Sequence, residues 1–350
     1  MKKQHFEFER IMHYLITGGA GFIGSHLADR LLAANHKVTI LDNLSTGRYE
    51  NIAHLEHSDG LRFIKDTVLH TSLVETLVRE SDGVFHLASA VGVKLIMERP
   101  VETIENIFQG TDAVLNAAAR YRKRFLLTST SEVYGKSEDI PFREDGDRIE
   151  GPTHKHRWAY ATAKALDEFL ALAHWKESRL PVIVVRLFNT VGPRQSSQYG
   201  MVLPNFVSAA LQDRELLVFG DGSQQRCFSH VADVVEALVA LISCPNAAGE
   251  VYNVGSAEEV SIRELAELVV KTTRSSSTIR FVPYEEAYGS GFEDMKRRVP
   301  CTDKIQSLIG WKPKLSLAEI VRDVIAYRRK DLEHLAFGNG APAEATRTPK

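Results

Sequence analysis

Tyr160 and Lys164 stand four residues apart in Tyr160-Ala161-Thr162-Ala163-Lys164, a spacing that on a helix puts a phenol and an ammonium on one face. A phenol ionises at about pH 10 in water; a neighbouring cation favours the phenolate, which predicts a general base with its pKa lowered toward working pH. Taken alone, the pair is equally an ordinary amphipathic helix. It does not stand alone. Leu15-Ile16-Thr17-Gly18-Gly19-Ala20-Gly21-Phe22-Ile23-Gly24 runs an apolar strand into a glycine-punctuated turn and a helix, the pattern that cradles a dinucleotide pyrophosphate. Gly18 suits the tight turn, Gly21 the approach of backbone N–H groups to phosphate, and Gly24 close packing of helix on strand. A second apolar strand, Lys37–Leu41, ends at Asp42, an acid placed to accept from the adenosine ribose hydroxyls. Its charge would repel a 2′-phosphate, favouring NAD over NADP, while Arg48 nearby pulls the other way.

These groups need a scaffold that gathers them. Apolar strands recur between helical patterns at Leu61–Ile64, Gly83–Ala88, Phe125–Thr128 and Val182–Phe188, which predicts an α/β, Rossmann-type, doubly wound parallel sheet. Ligands of such sheets sit beyond the carboxyl ends of the strands, and polar residues cluster there: His86 and Ser89, then Ser129-Thr130-Ser131-Glu132, then Asn189. From about Gly192 the chain becomes loop-rich, with Pro193, Pro204, Gly220-Asp221-Gly222, Pro283, Gly289, Gly291 and Pro300, as expected of a smaller, interleaved C-terminal substrate-binding region. Cys227–Ile242 and Val251–Gly255 read as a helix and strand returning to the sheet. The expected division is therefore 12–190 for a dinucleotide, with returning elements near 227–255, and 191–330 mainly for substrate; 338–350 is expected to be a flexible tail.

Composition narrows the class. Of 350 residues, 44% are apolar and 25% charged, and a net charge of −2 gives no electrostatic reason to bind nucleic acid or an anionic membrane. Three well-separated cysteines and no metal-ligand spacing predict no disulfide framework, no metal and a reducing, cytoplasmic setting. Met1–Arg10 lacks the apolar core of a signal peptide, and no apolar run reaches the roughly 18 residues of a membrane span.

Over roughly 12–330 the chain resembles the extended short-chain dehydrogenase/reductases, specifically their nucleotide-sugar epimerases, dehydratases and decarboxylases. The landmarks run in order: TGGAGFIGSHL from Thr17, LDNLSTG from Leu41, HLASA from His86, TSTSEVYG from Thr128, YATAK from Tyr160, RLFNTVGPRQ from Arg186, GDGSQQRCF from Gly220 and RRVP from Arg297. The resemblance implies Thr130, Tyr160 and Lys164 as the catalytic triad, Thr130 hydrogen-bonding the sugar O4 that Tyr160 deprotonates, and Lys164 holding the nicotinamide ribose. It implies NAD contacts from Gly18, Gly21, Phe22, Ile23, Gly24, Asp42, Asn43, Asp66, Leu87, Ala88 and Ser89, with Asp66 at the adenine. Asn189, Asn205, Arg226 and Arg298 would hold the nucleotide diphosphate, where arginine's planar fork suits phosphate.

Ser131-Glu132 after Thr130, the arginine of GDGSQQR and His156-Arg157-Trp158-Ala159-Tyr160 are similar to UDP-glucuronate decarboxylases, whereas Ser89–Lys94 and Cys301 depart from the commoner pattern. The implied reaction oxidises C4 of UDP-glucuronate, loses carbon dioxide from the resulting β-keto acid, and protonates C5, with Ser131, Glu132 and Arg226 around C5. It ends at UDP-xylose or its 4-keto precursor. A UDP-sugar 4-epimerase is the alternative, and an NAD-sensing binding protein the non-enzymatic one. Glu132 can instead merely orient a loop or pair with Arg226, and Arg298 can be a surface charge. Small and apolar residues around Thr103–Tyr121 and Tyr160–Lys176 suit a homodimer seam, or equally a cover for the sheet.

Overall fold

The computed structural model describes residues 10–89, 99–197, 201–288 and 295–338. Ala90–Lys94, Gly289, Gly291 and the tail beyond 338 lie outside them, as does nearly all of Met1–Arg10. Strands β1 (His13–Thr17), β2 (Lys37–Leu41), β3 (Leu61–Ile64), β4 (Gly83–His86), β5 (Arg124–Thr130) and β6 (Val182–Leu187) follow the chain, mostly apolar stretches suited to a sheet covered on both faces, with β3 half-buried at the edge. Four short strands come next: β7 (Thr190–Val191), β8 (Leu216–Phe219), β9 (Gln225–Cys227) and β10 (Ser229–His230). They are followed by β11 (Glu250–Val254), β12 (Glu259–Ser261), β13 (Ile279–Val282) and β14 (Arg297–Arg298).

The main sheet has seven parallel strands in the order β11-β6-β5-β4-β1-β2-β3. The chain winds outward from β1 on one side and then restarts at β4 on the other, so the crevice between β1 and β4 is the switch point where such sheets bind ligands. Register makes that edge level. Thr17 pairs with Leu41 and with His86, and His86 with Leu127. β5, β6 and β11 run on past this line, and β5 carries Thr130 beyond the ends of its β4 and β1 neighbours, opposite Leu187 of β6.

Helices cover both faces. α1 (Phe22–Ala33) packs Leu27 and Leu31 on one face, together with Val234 and Leu238 of a later helix, Val231–Ser243. The other face takes α2 (Thr71–Glu80), α3 (Pro100–Tyr121) and α4 (Ala159–Ser178) through Leu77, Leu115 and Ala171. The returning segment differs from its sequence reading. Its helix starts at Val231, because the His230 side chain caps it by accepting from Ala232 N–H at 3.1 Å, while Gln225–Cys227 and Ser229–His230 are extended. β11 does return to the sheet, beside β6.

A second apolar cluster, with Phe206, Val218, Leu265 and Val321, joins Val202–Ala210, Ile262–Thr273 and Leu317–Gly338 to small sheets made of β8 with β13 and β9 with β12 and β14. Cys227, Cys244 and Cys301 are buried and unpaired. Cys301 is a core residue: its backbone N–H reaches Phe142 O at 2.8 Å. No helix among the described residues is long and apolar enough to cross a membrane.

Candidate active site

A cleft of about 910 Å³, at the upper end of the range for ligand sites, opens along the carboxyl edge of the sheet. Its floor at the switch point is the glycine loop. Gly18 has φ +73°, and a Cβ there would lie 2.8 Å from Ala88 N; a Cβ on Gly24 would lie 2.3 Å from Gly18 O. Both positions therefore require glycine. Gly21 is in extended geometry and caps α1 without any side-chain bond, so the first N–H groups of the helix, on Phe22, Ile23 and Gly24, face the cleft with no acceptor within the helix. Such a terminus fits an anionic pyrophosphate.

Asp42 lines the same cleft after β2. Its two carboxylate oxygens take Ala20 N–H at 2.9 Å and Leu44 N–H at 2.8 Å, which orients it and leaves lone pairs for ribose hydroxyls. Burial pushes its pKa up against those two bonds. Asn43 Oδ1 holds Ser45 N–H at 3.0 Å, and Asp66 pairs with His70 at 2.8 Å, which holds the Asp66 carboxyl below its ordinary value. Leu87, Ala88 and Ser89 form the wall after β4. Arg48 is a half-exposed rim residue, 3.9 Å from Glu50. The residues present fit a dinucleotide with a free ribose diol.

Tyr160 and Lys164 lie on α4, one turn apart. Helix α4 is fixed to the sheet by Glu168, which binds Arg186 of β6 at 2.8 Å and the Ser129 hydroxyl of β5. Tyr160 lines the cleft, 8% exposed, whereas Lys164 is buried beneath it with Nζ 2.9 Å from Asp167 Oδ2. The expected lowering of the phenol is not a property of these side chains. Burial first, then the charges of Glu132 and Asp167, push the Tyr160 pKa up, and only the Ser89 and Thr130 hydroxyls favour the phenolate. The lysine cation that was to lower it is paired with Asp167. Thr130, at the end of β5, accepts Glu132 N–H at 3.2 Å, so its own hydrogen can point to a ligand.

Glu132 pairs with Arg298 through a charge-assisted bond, and Arg298 Nη2 also reaches Asn189 Oδ1 at 2.8 Å. Arg298 is no surface charge: its side chain is 13% exposed, and its Nε is buried without a partner among the described residues. Asn189 is further tied to Cys227 O at 2.9 Å. Arg226 is buried, its guanidinium 2.9 Å from Gln225 O, and lines the cleft with Asn205 and Ser131. The sheet thus brings Thr130, Ser131, Glu132, Tyr160, Asn189, Asn205, Arg226 and Arg298 around one cleft. Sequence reasoning passed over Asp167, Thr111 and Arg194; the last also lines the cleft and binds Asp29 at 2.8 Å. The Lys164–Asp167 spacing of three on a helix was a readable signal.

A glycine-floored groove at the switch point, with a Tyr–Lys helix beside it, defines an extended short-chain dehydrogenase/reductase. The chain belongs to the family described as GDP-mannose 4,6 dehydratase, whose model matches residues 15–324. It is 44% identical over 317 residues to the UDP-N-acetyl-alpha-D-glucosaminuronate decarboxylase of Bacillus cytotoxicus, covering 90% of this chain and 97% of that one. It is 39% identical over 328 residues to UDP-glucuronic acid decarboxylase 1 of Danio rerio, covering 94% of this chain and 75% of the relative. A solved structure of UDP-glucuronic acid 4-epimerase from Bacillus cereus, with UDP-glucuronic acid and NAD, superposes with a TM-score of 0.83 at 29% identity, over 91% of this chain and 99% of that one.

Proposed function

We propose that this chain is an NAD-dependent decarboxylase of a UDP-hexuronate, with UDP-glucuronate as substrate and UDP-xylose or its 4-keto precursor as product. The observation that carries it is Arg298: it lines the cleft beside Glu132 with a buried Nε–H still unpaired among the described residues, a donor free for a substrate carboxylate or phosphate. Residues 12–190, with the returning 227–255, hold NAD, and 191–330 mainly hold the sugar nucleotide.

Bound NAD supplies the hydride acceptor and donor for sugar C4. Tyr160 Oη removes the O4 proton, with the Thr130 hydroxyl donating to O4, and Lys164 fixes the nicotinamide ribose. The ketone at C4 is β to the C6 carboxylate, so the C5–C6 bond breaks, carbon dioxide leaves, and its electron pair passes into a C4 enolate. Thr130 and Tyr160 stabilise that oxyanion, while Ser131, Glu132 and Arg226 surround C5, where a proton completes the pentose. Asn189, Asn205, Arg226 and Arg298 hold the diphosphate and the uronate between them. A second copy of the chain covers α3 and α4, whose Val101, Ile104, Phe108, Leu166 and Phe169 are exposed on adjacent helices, making a homodimer.

A second reading keeps the chemistry and changes the sugar. The 44% relative is named for the 2-acetamido uronate, which makes that compound the competing substrate. Incubation with each UDP-uronate and UDP-glucose, followed by mass analysis, separates the cases. Loss of carbon dioxide is expected from UDP-glucuronate; the same loss only from the acetamido sugar moves the assignment there. An unchanged mass with a new stereoisomer overturns the decarboxylase in favour of a 4-epimerase.

A further inference from the structure

Beneath Tyr160 and Lys164 runs a line of polar groups that the proposed reaction does not use. Lys164 Nζ and Thr111 Oγ1 both donate to Asp167 Oδ2, each at 2.9 Å. His86 Nε2 lies 3.1 Å from Thr111 Oγ1, and His86 Nδ1 lies 2.8 Å from Thr17 Oγ1, which takes Ala88 N–H at 3.3 Å. None of these five side chains is more than 2% exposed.

The direction of each bond follows from the carboxylate end. Thr111 gives its only hydroxyl hydrogen to Asp167 and so must accept from His86 Nε2–H. His86 is then the tautomer whose Nδ1 accepts from the Thr17 hydroxyl, and Thr17 in turn accepts from Ala88. Burial, with Lys164 nearby, lowers His86 to about 3, so the ring is neutral and this tautomer persists at working pH. The line ends at buried Thr17 with no member in solvent, which makes it no conduit for protons. What it does is join the helix carrying the base to the Ala88 wall of the cofactor groove, and give Lys164 a counter-charge.

We infer that Asp167 is a positioning residue for the reaction: it fixes Lys164 and opposes that cation's pull on the Tyr160 phenol, while Thr111, His86 and Thr17 hold it in place. The inference rests on Tyr160 being the base. The groups acting on the phenol are Glu132, Ser89 and Thr130 from the ends of β4 and β5 and Asp167 from α4, and Lys164, one turn along α4, is bonded to Asp167. Glu132, bonded to Arg298, and Asp167 are the two carboxylates that disfavour the phenolate, and Asp167 is the one of them that bonds Lys164. Asp167 is itself faced by Lys164 and Glu168 on its own helix and by Thr111 from α3.

The test uses the full chain with Asp167→Asn, with Asp167→Ser as the second variant should the amide not fold, and Thr111→Val. Two readouts are taken: the Tyr160 titration by ultraviolet difference absorbance, with Tyr160→Phe subtracting the other phenols, and the pH profile of kcat against KM. Removing the charge is expected to move both the titration and the acidic limb of kcat down by about one pH unit, a roughly tenfold gain in phenolate on the acid side. KM for the sugar nucleotide stays put. Thr111→Val keeps the charge but cuts the line, and is expected to lower kcat with the limb unmoved. A folded charge-free variant whose titration is unchanged, or moves up, overturns the inference. A wild type that releases no carbon dioxide overturns the proposed reaction instead, and leaves the phenol titration readable.

Discussion

On the cofactor side of the cleft the polar side chains are dry and each has a fixed direction: from the Ala88 wall, Thr17, His86, Thr111 and Asp167 lead to Lys164 without reaching solvent. On the sugar side, Glu132, Arg298 and Asn189 are partly exposed, and two of the three are opposite charges that a bound uronate must share or displace. The cofactor side is organised before anything binds; the sugar side spends its ion pair on itself until a substrate arrives. Under the proposed function, one half would set the chemistry and the other which sugar undergoes it.

The largest effect is expected from the residue between the halves. Tyr160→Phe removes the proposed base and should lower kcat by roughly 10³-fold while NAD binding persists, as measured by turnover and equilibrium dialysis. On the sugar side, Arg298→Ala strips a charged donor and leaves Glu132 without that partner, so kcat/KM for the uronate should fall roughly a hundredfold, with NAD affinity held. If NAD affinity fell with it, the two sides would not be separable. Asp42→Ala should do the reverse, weakening NAD binding about tenfold without changing the sugar preference.

A smaller effect comes from the dry half in acid. Because His86 titrates at about 3 in the fold against 6.5 in the open chain, the unfolded state binds more protons between those values. Stability is complete above 6.5 and falls as pH drops toward 3, by about 1.4 kcal/mol per pH unit as an upper figure for this group. Denaturant melts across that window check it, and His86→Phe should flatten the slope. Smallest for chemistry is Phe169→Asp, expected to turn a dimer into monomers by sedimentation with little change in the activity per chain.

The same contrast decides what could be read from the sequence. Lys37–Leu41 and Leu61–Ile64 were legible to the residue, since each is a short, mostly apolar stretch bounded by polar or turn residues, although Leu61–Ile64 is the half-buried edge strand with Arg62 exposed. β5 was read as ending at Thr128, two residues short of its functional tip, because Ser129 and Thr130 carry no apolar signal. Arg298 meets Glu132 across 166 residues of chain, a pairing set by strands of two and three residues that no periodicity announces. The fate of the Lys164 charge was missed for another reason. Spacing placed it beside Tyr160, but its effect there depends on Asp167, and that balance appears only when burial and direction are known.

Running the reaction on UDP-glucuronate in heavy water is the most direct test of a decarboxylation completed by a proton at C5. The product is expected to be a UDP-pentose, lighter by carbon dioxide and carrying one solvent deuterium at C5. A six-carbon product of unchanged skeleton, with no deuterium on carbon and inverted C4, would contradict it.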